Sequence, residues 1–189
     1  MRGRLPFMTG LAVSDTGLSE STVHLAAAGD EAAFSRLVTA HDAAMARVAY
    51  VVTGDRDLTR DAVQAAWTIA WRRLGSLRDP SQVRAWLVAI AANQARSAMR
   101  HRRRYAVTDI SSALGATDPG ADPAEVITAL DVRRALATLG PDDRALVALR
   151  YVAGLDSVEI AQHMGISASG VRSRLSRVIG RLRAEIDHD

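Results

Sequence analysis

Arg172, Ser173, Ser176 and Arg177 carry the most specific chemistry in this chain. At 3.6 residues per turn they share one side of a helix, while Val171, Leu175 and Val178 share the other. Arg can donate two parallel hydrogen bonds to a guanine edge, and Ser can serve a base or a phosphate. A helix that packs on one side and displays Arg and Ser on the other fits the major groove of duplex DNA. Ser169, in the first turn, belongs to the same set, and Arg174, at the edge of the polar face, is placed for a flanking phosphate.

Such a helix needs a scaffold, and the residues before it provide one. Asp156 and Glu159 have capping-box spacing and open a short helix over Ser157 to Met164, with Ile160, Ala161 and Met164 facing inward. Gly165-Ile166-Ser167 reads as the tight turn. Gly165 supplies a left-handed residue, Ile166 plugs the gap between helices, and Ser167 caps the next one. Upstream, one helix is expected over Ala124 to Leu139, closed by Gly140-Pro141, and another over Asp142 to Tyr151. A solvated basic helix in an all-α bundle would need none of these features together. Their coincidence favours a DNA-binding helix-turn-helix.

A second basic cluster lies far upstream. Arg96, Arg100, Arg102, Arg103 and Arg104 fall within nine residues without an acid. Cations favour a helix C-terminus, which would account for such a cluster. Phosphate binding with counterion release is the functional alternative. The elements leading to it are helical. Asp30 is an expected N-cap, and Phe34, Leu37, Val38, His41, Met45, Val48 and Val52 follow at helical spacing. Gly54 and the charged turn Asp55-Arg56-Asp57 should end that helix. Val63, Trp67, Ala70, Trp71 and Leu74 form the stripe of a second helix, stopped by Gly75. A third, starting near Ser81 after Pro80, presents Val83, Trp86, Leu87 and Ile90 on one face and runs into the arginines.

Between the basic clusters, residues 105–131 hold five acids and no base. With Gly115, Pro119, Gly120 and Pro123 they read as a flexible acidic linker over 105–124. The expected architecture is all-α: a disordered tail at 1–23, a helical domain at 24–104, the linker, and a helix-turn-helix domain at 125–189.

Composition narrows the functional classes. The chain has 189 residues, 24 basic and 21 acidic, for a net charge of +3, and every basic residue is Arg. There is no cysteine, so disulfides and thiolate metal sites are excluded, and a reduced, cytoplasmic compartment fits. No apolar run approaches the roughly 18 residues that span a bilayer, so no membrane insertion is expected. His41-Asp42 resembles the pair found in metal phosphohydrolases. Further metal ligands are missing nearby, and His41 lies on an apolar helix face, so a core histidine is expected. No nucleophile triad or Gly-rich phosphate loop appears, so neither an enzyme nor a cofactor is expected. Core packing is expected for Trp67, Trp71 and Trp86.

The stretches DAVQAAWTIAWRRLG, VRAWLVAIAANQARSAMRHRRR and LGPDDRALVALRYVAGLDSVEIAQHMGISASGVRSRLSRVIGRLR, in this order, resemble the short bacterial RNA polymerase sigma factors of the extracytoplasmic-function group. The resemblance covers residues 24–104 and 125–186. It implies that Asp61, Gln64, Arg72 and Arg73 dock core RNA polymerase. It implies that the loop from Ser76 to Ser81, including Arg78, and a helix face with Asn93, Arg96, Arg100 and Arg103 hold the melted −10 element of promoter DNA. The −35 duplex would fall to Ser169, Arg172, Ser173, Arg174, Ser176 and Arg177. The acidic linker would thread the polymerase's RNA channel, and an inhibitory anti-sigma factor is an implied partner. The chain departs from the common pattern at Ala65, Trp67 and Leu77. Two rival readings are a stand-alone helix-turn-helix regulator, which would bind duplex without polymerase, and a protein that sequesters an acidic partner.

Overall fold

A computed structural model describes residues 19–105 and 132–186, and its described elements are all helical. They form two helical domains packed on one another. The first begins earlier than the sequence pattern indicates. Helix α1 (Glu20–Ala27) takes in residues expected in the disordered tail. Ser19 caps it by accepting from the Thr22 N–H, and Thr22, Val23 and Ala26 are buried. Eight residues give too short a window for periodicity to register, and burial against the rest of the domain makes up the difference.

Helix α2 (Glu31–Thr53) starts at the expected cap, where Asp30 Oδ1 accepts from the Ala33 N–H at 2.6 Å. It ends at Gly54, whose φ of 66° is the left-handed conformation that glycine adopts without strain. The charged segment that follows is not a turn. Asp55 caps helix α3 (Arg56–Arg73), accepting from the N–H groups of Asp57 and Leu58, so only Gly54 and Asp55 separate the two helices. Short 3₁₀ turns at Leu74–Ser76 and Pro80–Gln82 lead into α4 (Val83–Tyr105). Leu37, Met45, Val48 and Val52 of α2 meet a surface rich in small residues: Ala62, Ala66 and Ala70 of α3, and Ala91, Ala92 and Ala95 of α4. Alanine lets the three helix backbones approach closely while the larger α2 side chains fill the centre.

The second domain opens with α5 (132–138), the described part of the helix expected at 124–139. Residues 124–131, like the linker, lie outside the described residues. Helix α6 (Pro141–Val147) has Pro141 in its first turn, as fits a residue with no N–H to leave unpaired. The expected helix over 142–151 does not stay α-helical throughout. Its last turn, Ala148–Val152, widens to a π turn, with the Ala153 N–H reaching back to Ala148 O at 3.0 Å. Helices α7 (Ser157–Met164) and α8 (Ala168–Ile186) complete the domain.

The sequence gives no sign of how the domains pack. Helix α6 and its π turn lie against α2 and α4. Leu146 and Leu149, both fully buried, belong to one apolar cluster with Val48, Val52, Leu87 and Ala91 of the first domain. Guanidinium groups stitch the edges. Arg144 donates to Val52 O at 3.2 Å, Arg133 to Gly54 O at 3.3 Å, and Arg84 to Ala153 O at 2.8 Å. Val52 O and Gly54 O lie at the C-terminal end of α2, where carbonyls have no helical partner and the helix dipole favours cations.

Candidate DNA and polymerase interfaces

The helix-turn-helix is held by local bonds at each point the sequence marks. Asp156 Oδ1 accepts from the Val158 and Glu159 N–H groups, and Glu159 Oε2 accepts from the Asp156 N–H at 2.6 Å, closing the capping box. Those two backbone donors, Glu159 foremost, hold the Asp156 carboxyl below the usual carboxylate range. Gly165 takes φ 69°, Ile166 packs against the core, and Ser167 Oγ accepts from the Gly170 N–H at 3.1 Å.

Helix α8 then divides as its residue types require. Val171, Leu175 and Val178 are buried. Arg172, Ser173, Ser176 and Arg177 are exposed, and Ser169 is exposed at the helix start with its hydroxyl 3.0 Å from that of Ser167. Arg174 is half-buried and engaged within the chain. Its Nε donates to Asp143 Oδ1 at 2.7 Å, while Arg181 donates to the other oxygen of the same carboxylate at 2.6 Å. Arg174 sits at the border between the two faces, within reach of α6, so it fastens α8 to the scaffold. Asp143 is a positioning residue that local pattern could not reveal, because its partners lie 31 and 38 positions away.

His163, at the end of α7, is half-buried, and burial lowers its pKa from the ordinary histidine value; Glu159 pulls weakly the other way. As pH falls through about 6.5, the unfolded chain takes up this proton before the folded one does, so folding stability declines on the acid side. His163→Gln should reduce the slope of melting temperature against pH between about 7.5 and 5. An unaltered slope would show that this histidine does not contribute.

On the first domain, Asp61, Gln64, Arg72 and Arg73 are all exposed along α3. Beside them runs a shallow groove of about 470 Å³, lined by residues of α2 and α3 including Asp42, Val63, Gln64 and Trp67. The tryptophans are less buried than expected. Trp71 is 44% exposed, with its ring edge-on to Phe34 at 4.8 Å. Trp67 is half-buried and donates its indole N–H to Asp42 Oδ1 at 2.8 Å. Asp42 is therefore tied to an indole, and His41 is buried within the first domain. Among the described residues no group of three His, Cys, Asp or Glu could hold a metal.

The residues assigned to the −10 element divide into two groups. Ser76, Arg78 and Arg103 are exposed, with Ser76 Oγ donating to Arg73 O at 2.7 Å. Asn93, Arg96 and Arg100 come together on α4, where Asn93 Oδ1 accepts from Arg96 Nη1 at 2.8 Å. Both arginines also meet α6 of the second domain: Arg96 Nε donates to Asp142 Oδ1 at 2.7 Å and Arg100 Nη1 to the same oxygen at 3.3 Å. Nearby, burial first, and then the charges of Arg102 and Arg103, lower the pKa of Arg144.

Comparison with known proteins gives this arrangement its class. Residues 37–105 match the family model for sigma-70 region 2, and residues 129–182 match that for sigma-70 region 4. The chain is 33% identical over 165 residues to the ECF RNA polymerase sigma factor SigL of Mycobacterium tuberculosis, covering 84% of this chain and 91% of SigL. It is 34% identical over 169 residues to the "Probable RNA polymerase sigma factor RfaY" of Xanthomonas campestris, covering 85% of this chain but only 42% of that longer protein. The solved sigma factor RpoE of Bartonella quintana, in complex with the anti-sigma factor NepR, superposes with a TM-score of 0.67 at 26% identity, covering 82% of this chain and 98% of RpoE. The chain therefore belongs to the RNA polymerase sigma factors, in the extracytoplasmic-function group, and is a promoter-recognising, DNA-binding factor of transcription initiation. Among the described residues no helix is long and apolar enough to cross a membrane.

Proposed function

We propose that the two domains divide promoter recognition between them. Arg172, Ser173, Ser176 and Arg177, with Ser169, read the −35 duplex in its major groove. Asn93, Arg96 and Arg100, with Ser76, Arg78 and Arg103, hold the melted −10 strand. Asp61, Gln64, Arg72 and Arg73 dock core polymerase, and exposed Trp71 adds apolar area beside them. The single observation that carries this reading is the division of α8: three apolar residues buried inward, four donor-bearing residues exposed outward, and a left-handed glycine turn orienting the helix. The protein acts without catalysis of its own, in the compartment that holds the polymerase, the cytoplasm. An anti-sigma factor that binds both domains is its regulatory partner, a role supported by the RpoE complex with NepR. Residues 105–124 serve as the acidic strap that follows the polymerase's RNA channel.

The −10 assignment has a direct test. Unpaired bases become accessible only once the duplex opens, and arginine then holds the strand by its phosphates. Arg100→Ala should lower the yield of open complex, read by permanganate reactivity of unpaired thymines in complexes with core polymerase, while closed-complex formation persists. An undiminished open-complex yield would reduce this cluster to scaffold.

A further inference from the structure

Arg174 and Arg181 lie two turns apart on α8 and share one side of it, with Arg177 between them. A helix seated in the major groove has a phosphate backbone along each flank, and arginines on that flank ordinarily contact it. Here both are already engaged by one carboxylate of α6. Arg174 Nε donates to Asp143 Oδ1 at 2.7 Å and Arg181 Nη2 to Asp143 Oδ2 at 2.6 Å, so each oxygen receives a guanidinium. Only 15% of the Asp143 side chain is exposed, and its helix is anchored by buried Ala145, Leu146 and Val147. Charge-assisted bonds of this length, partly shielded from solvent, are screened by salt less than exposed ones. The arginines from 172 to 181 thus divide into two pairs. Arg172 and Arg177 stand exposed with Ser173 and Ser176, whereas Arg174 and Arg181 share the charge of Asp143.

We infer that Asp143 sets the sequence selectivity of the second domain: it withholds Arg174 and Arg181 from the DNA backbone and fixes the angle at which α8 presents Arg172, Ser173, Ser176 and Arg177. The inference rests on the assignment of α8 to the −35 duplex. Phosphates are alike at every sequence, so a phosphate contact adds affinity for random DNA as well as for a promoter. Two uncommitted guanidiniums beside the reading face would hold random duplex more tightly. They would also let the helix settle on DNA at other angles, because both bonds join α8 to α6. One carboxylate that engages both arginines lowers the sequence-independent part of binding and leaves the base-reading part, which is how selectivity is gained at the expense of affinity. Asp143 is a positioning residue in this scheme and acts on DNA only through the two arginines.

Binding of the full-length chain to a short random duplex, followed by fluorescence anisotropy between about 0.05 and 0.2 M salt, reads the withheld charge. Asp143→Asn should tighten binding about fivefold at the lower salt and steepen the slope of log K against log salt by about one to two units, roughly one for each arginine that reaches a phosphate. Asp143→Glu, which keeps the charge, should stay near the parent. Glu185→Gln removes one exposed negative charge from the same helix and should change the slope far less. Adding Arg174→Gln and Arg181→Gln to Asp143→Asn should abolish the gain, a reversal that loss of folding cannot mimic. In selection from a −35 library by polymerase carrying the chain, Asp143→Asn should lower the preference for the best sequence over a random one about fivefold. An unchanged slope in Asp143→Asn, an equal rise in Glu185→Gln, or an undiminished −35 preference would overturn the inference. Arg177→Ala separates it from the assignment beneath it. If Arg177→Ala weakens duplex binding while Asp143→Asn leaves the slope alone, only the inference fails. If neither changes duplex binding, α8 does not lie on the duplex and both fall.

Discussion

Arg172→Ala and Arg177→Ala should each weaken discrimination at the −35 element by about 1–3 kcal/mol, the range for losing a bidentate bond to a base. Both side chains are exposed on α8, opposite buried Val171, Leu175 and Val178, so shortening them removes a donor without opening the core. The loss should therefore appear in promoter choice, with the melting temperature unchanged. A reading arginine and a phosphate-binding arginine differ in signature. Losing the first relaxes preference at one or two −35 positions. Losing the second weakens all promoters alike and reduces the salt slope by about one unit. Selection from a randomised −35 library by polymerase carrying each variant distinguishes them. Unchanged base preference in both variants would remove the reading face from α8. Arg174→Ala should behave differently again, because its guanidinium is bound to Asp143 and its loss loosens the attachment of α8.

Leu146→Ala should cost about 2–5 kcal/mol of folding free energy, the usual range for emptying a fully buried leucine site. For a chain of this size that corresponds to a fall in melting temperature of roughly 4–20 °C. The effect should exceed that of a leucine buried in one domain alone, because Leu146 lies in α6, which packs on α2, α4 and α8 and shares one apolar cluster with the first domain. Calorimetry should show one shared transition in the parent chain and two distinguishable transitions in the variant. A single transition shifted by less than about half a kcal/mol, as for an ordinary surface substitution, would show that the shared core adds nothing to stability.

How much of this was readable in the residues depended on range. The helix-turn-helix was legible because every determinant lies within about twenty residues of the next: the Asp156 capping box, the Gly165 turn, the Ser167 cap and the two faces of α8. Local periodicity likewise found α2, α3 and α4. It failed where burial decides. Helix α1 is too short to show a stripe, and Asp55 serves as a cap although its neighbours look like a charged turn. Trp71 lies on an apolar stripe, yet the helix carries that stripe to the edge of the domain, where the ring keeps nearly half its surface. Asp142 and Asp143 read as two acids in a first turn, where they would favour the helix dipole. Their partners come from 31 to 46 residues away, and no pattern along the chain records that one receives Arg96 and Arg100 and the other Arg174 and Arg181.

The most direct measurement is multi-round transcription by core RNA polymerase, with and without the purified chain, on a library of promoters varied at both elements. Two helical domains that belong to the sigma-70 family should convert core enzyme from random initiation to defined start sites preceded by one −35 sequence and one −10 sequence. If the chain neither co-purifies with core enzyme nor changes where transcripts begin, the account is wrong at its centre.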